Sequence, residues 1–156
     1  MTDEDAMRLA IGQARQGVAA GQSPFGALIA RDGRALAAAH NTVWLTGDPT
    51  AHAEVNAIRL AAHTLGTIDL SDCVIYSTCE PCPMCLGAIH WSKIGRVVYG
   101  AAIADAAAAG FLELRVPAGR LAAMGGSSME ISGGVLEAEC RALFDLWRST
   151  HASLPY

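Results

Sequence analysis

Lysine is almost absent from this chain. Lys93 stands alone in 156 residues, acidic side chains outnumber Lys and Arg by 15 to 11, and the net charge is −4. Tight binding to a polynucleotide relies on lysine and arginine to neutralise phosphates, and no basic run supplies them. Long apolar runs are missing too; none approaches the ~20 residues of a membrane-spanning helix. The opening Met1-Thr2-Asp3-Glu4-Asp5 is acidic and reads as neither a signal nor a transit peptide. Cysteines are few and odd in number, at five. That argues against a disulfide framework and for metal ligands or free thiols. The expectation is a cytoplasmic protein with no membrane partner, and the charge weighs against a polynucleotide partner.

What the chain does have is apolar: hydrophobic residues make up 52% and charged residues 17%. That composition is globular, not disordered. The length suits one domain over residues 1–156, burying roughly 70% of the surface of its unfolded chain.

Thr2 caps a first helix over about 3–18, with Met7, Ile11, Ala14 and Val18 on one face. Ala27 to Ala38 reads as a hairpin turning at Asp32-Gly33. Asn41 to Pro49 reads as a polar loop. Thr50 is placed to cap a second helix with Val55, Ile58, Ala62 and Leu65 inward, ended by Gly66. Cys73 to Ser77 reads as a buried strand, and Cys79 to Pro83 as the turn after it. Cys82 to Ser92 is helical, with Leu86, Ile89 and Trp91 inward. Further expectations are a strand at Arg96–Gly100, a helix at Ala104–Ala109, a strand at Ser128–Ser132 and an amphipathic C-terminal helix through Cys140, Leu143, Phe144 and Trp147. A tail runs from His151 to Tyr156. Helices alternating with strands after a leading hairpin predict an α/β fold: a three-layer α/β/α sandwich around a mixed sheet of about five strands.

Two short motifs carry the chemistry. Cys82-Pro83-Met84-Cys85 spaces two sulfurs to meet one ion near a helix start, where the positive helix end favours thiolates. His52-Ala53-Glu54 opens the other helix. A catalytic zinc takes three protein ligands and leaves the fourth position for water, whose pKa falls to about 7. His52, Cys82 and Cys85 make three ligands for one Zn²⁺ per chain. Glu54, two residues from a ligand, is placed to carry protons without binding the metal. A lone C-x-x-C can be redox or structural, and a lone H-x-E says little. Cys79 is a candidate for a fourth ligand, which would close a structural site and make the chain a zinc-stabilised binding module. Cys73 and Cys140 read as core residues, and His90 as a helix-surface residue.

The two motifs together, H-x-E…P-C-x-x-C, match the signature of the zinc deaminases. The chain resembles the cytidine-deaminase-like superfamily over nearly its whole length, with the branch of bacterial guanine deaminases, cytosine deaminases and tRNA adenosine deaminases nearest. Pro24-Phe25-Gly26-Ala27, Asp48 to Val55 and Cys79 to Ile89 carry the resemblance. The stretch Asp105 to Phe111 is similar to guanine deaminases. Ile94 to Gly100 and Gly133 to Cys140 are similar to tRNA adenosine deaminases, but the basic stretch of those enzymes after Gly100 is missing. The resemblance implies a zinc-dependent aminohydrolase acting on a free purine base, guanine to xanthine with ammonia released. Its alternatives are a guanosine-type nucleoside, cytosine, or adenosine in tRNA. It also implies a homodimer, with Glu113 as a second catalytic acid and Asn41, Phe25 and Ala53 at the substrate. The tail ending in Pro155-Tyr156 is a candidate lid.

Overall fold

The structure is a computed structural model that describes residues 1–150 and Pro155. The lid expected of the tail lies outside the described residues apart from that proline. Helix α1 (Asp3–Ala19) begins in a capping box: Thr2 Oγ1 accepts the Asp5 N–H at 3.1 Å and Asp5 Oδ2 accepts the Thr2 N–H at 3.0 Å. Strands β1 (Gly26–Arg31) and β2 (Arg34–His40) form the hairpin. Asp32 and Gly33 both take positive φ, 51° and 68°, as a type I′ turn requires.

A short helix α2 (Val43–Thr46) follows, then α3 (Ala53–Leu65), β3 (Cys73–Cys79), α4 (Pro83–Trp91) and β4 (Arg96–Ala101). Helices α5 (Ile103–Ala109) and α6 (Ala118–Met124), strand β5 (Glu130–Ser132) and helix α7 (Glu137–Thr150) complete the described fold.

The sheet order is β2-β1-β3-β4-β5. The hairpin and β3 are antiparallel, while β3, β4 and β5 are parallel. Side chains alternate across it, as the two-residue strand period demands. Leu28, Ala30, Tyr76 and Val98 face a core shared with α1 and α7. Ala27, Ile29, Ile75 and Val97 face a second core under α3 and α4. The three-layer α/β/α sandwich with a mixed five-stranded sheet is therefore as expected. Asp3 ties α1 to β4 through two bonds from Arg96, at 3.0 and 2.6 Å.

Several local expectations need correction. The Asn41 loop contains α2, closed by Gly47 at φ 64°. Thr50 does not cap α3; its hydroxyl and N–H bond Asp48 in a local turn, and His52 is the N-cap. The buried row of α3 is Ala53, Ala57 and Ala61; Ile58 and Leu65 pack against the core as expected but half-buried, and Val55 and Ala62 are half-buried beside them. Alanines let the helix axis approach the sheet, which the larger residues would hold off. Trp91 points out, 81% exposed. Strand β3 runs two residues further than expected, β5 is shorter, and α6 was unforeseen because only two small residues, Ala118 and Ala122, are buried in it, with Leu121 packed beside them.

Candidate active site

The parallel pair β3 and β4 brings the chemistry together at its carboxyl ends, where open α/β sheets bind ligands. Strand β3 ends at Cys79, and Glu80-Pro81 turns the chain so that Cys82 becomes the N-cap of α4. Pro83 stands at the first helical position, where its missing N–H costs nothing. Cys85 follows one turn later on the buried side. His52 is the N-cap of α3 and makes no capping bond with its side chain.

His52 Nδ1 lies 3.8 Å from Cys82 Sγ and 3.5 Å from Cys85 Sγ. All three ligand atoms fall within 4.8 Å of one another. Zinc bonds of about 2.3 Å to sulfur and 2.0–2.1 Å to nitrogen set tetrahedral edges of roughly 3.5–3.8 Å. The observed spacings fit those edges, so His52, Cys82 and Cys85 are positioned to hold one zinc ion. Cys79 is outside this cluster. Its thiol donates to Ala102 O at 3.6 Å, and burial pushes its pKa well up. Among the described residues, three protein ligands rather than a closed set of four make an open site. Cys73 and Cys140 are buried core residues, and His90 is exposed.

The cluster already favours a thiolate. The hydrogen bond from Cys85, then that from His52, holds Cys82 down at about 4. The same Cys82 contact, with burial, drives Cys85 well up, so the two sulfurs share one proton. Burial pulls His52 down, but the bond to Cys82 and the charge of Glu54 outweigh it and leave the imidazole raised.

Glu54 sits in the first turn of α3, 6% exposed. Ser77 Oγ donates to its Oε1 at 3.0 Å, and Cys85 Sγ lies 3.5 Å from its Oε2. Burial, then the Cys82 charge, raises its pKa.

A cavity of ≈ 200 Å³ opens in front of these groups, lined by His52, Glu54 and Cys82 and walled by Phe25, Phe111 and Glu113. Phe25 packs edge-on to Phe111 at 4.9 Å between ring centres, so it belongs to both the wall and the core. Glu113 is half-buried; desolvation, then the Cys82 charge, lifts it to about 7. Asn41 and Ala53 are fully buried and do not line the cavity. Asn41 Oδ1 accepts the Val43 N–H at 3.1 Å, which starts α2. Ser77 and Glu80 were not anticipated. The polar pair Ser77-Thr78 in a buried strand was the available signal for the first.

Residues 1–101 match the family described as the cytidine and deoxycytidylate deaminase zinc-binding region. The chain belongs to that family. A guanine deaminase of Bacillus subtilis (strain 168) is 51% identical over 112 residues, 71% of this chain and 72% of that protein. A solved guanine deaminase from Nitrosomonas europaea aligns with a TM-score of 0.86 at 29% identity, over 95% of this chain and 85% of that one. A tRNA-specific adenosine deaminase of Bacillus subtilis is 36% identical over 138 residues, 88% of this chain and 83% of that protein. Membership makes the three-ligand cluster a zinc site of deaminase type. The chain is a zinc-dependent aminohydrolase.

Proposed function

We propose that the chain works as a single deaminase domain that converts guanine and water to xanthine and ammonia. The observation that carries the substrate is the second carboxylate: Glu113 lines the same small cavity as Glu54. Its volume is below the ~300–1,000 Å³ of drug-sized sites, which suits one bare ring system. Among the described residues lining it, none is lysine or arginine, so a phosphate has no partner there. The guanine deaminases among the relatives support the same reading.

Zinc held by His52, Cys82 and Cys85 would supply an activated water, its pKa lowered to about 7. Glu54 is placed to take a proton from the attacking water and give it to the ring nitrogen as the water oxygen bonds to the amine-bearing carbon. Ser77 holds the Glu54 carboxyl at the required angle. Glu113, a second carboxyl facing the same cavity, carries the proton of the newly added hydroxyl to the amine, so that the carbonyl forms as the C–N bond breaks and ammonia leaves. Phe25 and Phe111 flank the ring and keep water out. Asn41, which starts α2, and Ala53, which packs α3 into the core, support the site from behind the cavity wall. We place the enzyme in the cytoplasm as a homodimer. No helix among the described residues is long and apolar enough to cross a membrane.

The tRNA-specific relatives support a second reading, adenosine deamination in tRNA. The charge of −4 and the single lysine weigh against it. A panel assay of zinc-loaded protein decides: ammonia release from guanine, guanosine, cytosine, adenine and a tRNA with adenosine at its wobble position. Guanine turnover is expected. Editing of the tRNA with no turnover of any base would reverse the assignment.

A further inference from the structure

Glu80 is a buried carboxylate that neither binds the metal cluster nor moves a proton in the scheme above. It is 7% exposed, stands two residues before Cys82, and lines the cavity. Its two oxygens are used separately. Oε2 accepts the Ile103 N–H at 3.0 Å, and Oε1 accepts the Ala118 N–H at 2.8 Å. Its own N–H donates to Ala101 O at 2.8 Å, which fixes its backbone to the end of β4.

Ile103 and Ala118 are the first helical residues of α5 and α6. Between those helices, residues 111–117 have no regular structure. The backbone bonds inside that stretch are local, from Glu113 N–H to Phe111 O at 2.9 Å and from Val116 N–H to Leu114 O at 2.6 Å. Phe111 anchors it by packing on Phe25 and Phe144. Glu113 and the exposed Leu112 and Leu114 follow at the cavity mouth. One carboxylate thus holds the start of α5, the helix that leads into this stretch, and the start of α6, immediately after it. It does so from the turn that presents Cys82. A buried backbone N–H that loses its side-chain acceptor is left desolvated and unpaired, which is costly. Misplacement of a reacting group by about 1 Å can lower a rate by roughly 10².

We propose that Glu80 is a positioning residue that sets where Glu113 stands relative to the zinc ligands, by clamping the Ile103 and Ala118 amides. This rests on the reading of Glu113 as a proton carrier. Glu80→Gln keeps the shape but offers one carbonyl oxygen where two acceptors are needed, so one N–H meets an amide NH₂.

The test uses zinc-loaded enzyme and guanine. Glu80→Gln should retain one zinc per chain and lower kcat about tenfold or more, with KM changed less than threefold. In a Glu113→Ala background the same substitution should lower kcat less than twofold. Hydrogen exchange at the Ile103 and Ala118 amides should quicken at least tenfold. Ala118→Pro, which removes one donor at a first helical position that tolerates proline, should reproduce the kcat loss if Glu80→Gln proves unstable. An equal loss with and without Glu113, or unchanged exchange at the two amides, overturns the clamp alone. Unchanged kcat in Glu113→Ala by itself overturns the proton-carrier reading, and the proposal with it.

Discussion

Ser77 Oγ donates to Glu54 Oε1 at 3.0 Å, linking the centre of the sheet to the residue that must move a proton. Ser77 sits on β3 between Ala27 of β1 and Tyr99 of β4, 2% exposed, so its hydroxyl has a fixed direction. A hydrogen bond to an ionised partner contributes about 1.5–3 kcal/mol, and each ~1.4 kcal/mol is tenfold in rate. Ser77→Ala is expected to lower kcat for guanine about tenfold and to leave KM and zinc content nearly unchanged. Ser77→Thr, which keeps the hydroxyl, should recover most of the activity. Steady-state kinetics on the two variants checks this, and full kcat in Ser77→Ala would remove Ser77 from the mechanism.

Glu54 and the three ligands separate under mutation because they do different work. Glu54→Ala leaves the ligand atoms in place, so zinc should stay at one per chain while kcat falls by about 10²–10⁴, the usual contribution of a positioned acid–base group. Cys82→Ser removes a ligand, and the purified protein should lose zinc and activity together. Treating the parent with a chelator should abolish turnover, and added Zn²⁺ should restore it. Metal analysis alongside the ammonia assay reads both effects. Zinc loss in Glu54→Ala would make Glu54 a ligand and contradict the open site.

Much of this site was legible in the sequence, for a physical reason. His52, Glu54, Cys82 and Cys85 lie in two short motifs, and each motif opens a helix that apolar periodicity places in the sequence. Glu113 was reachable only through the family resemblance, since its place depends on how residues 111–117 fold back over the cavity. Ser77 and Glu80 were not seen. Their partners, Glu54, Ile103 and Ala118, are 23 to 38 residues away, and no local pattern encodes a contact at that separation. The inward face of α3 was only half read: Ile58 and Leu65 do pack on the core, but the fully buried row is Ala53, Ala57 and Ala61, missed because apolar size was taken as the sign of burial. Close helix–sheet packing selected alanine instead.

Close packing of that kind also governs the hairpin. A Cβ on Gly26 would stand 2.2 Å from Ala10 O and 2.6 Å from Ala14 N, both backbone atoms of α1. Neither can yield without moving the helix off the sheet. Gly26→Ala should therefore cost about 2–3 kcal/mol, which is roughly 5–10 °C in Tm for a domain of this size. Gly12, in the middle of the same helix, has nothing within 4 Å of its added Cβ. Gly12→Ala should raise stability by about 0.5–1 kcal/mol through helix propensity. Opposite signs in thermal melts of the two variants are the expected result. Equal small effects would mean that α1 does not press on β1 as described.

Glu113 ties the stability of the fold to pH. Its carboxyl is raised from the ordinary 4.5 to about 7, first by desolvation and then by the Cys82 thiolate. Between those two values the folded chain holds a proton that the unfolded chain has released. Stability therefore falls as pH rises through that window and stays lower above it. The full shift would amount to about 3 kcal/mol, but Glu113 is only half-buried, and water screening reduces its share to the order of 1 kcal/mol. Glu113→Gln removes the titration while keeping the shape. In metal-free protein, the variant should match the parent in urea unfolding near pH 4.5 and exceed it by about that amount at pH 8. The thiolate is part of the cause, so Cys82→Ser should shrink the difference between Glu113→Gln and its own parent. A gain for Glu113→Gln that is the same at both pH values would place Glu113 in solvent and take away its fitness to carry a proton at neutrality.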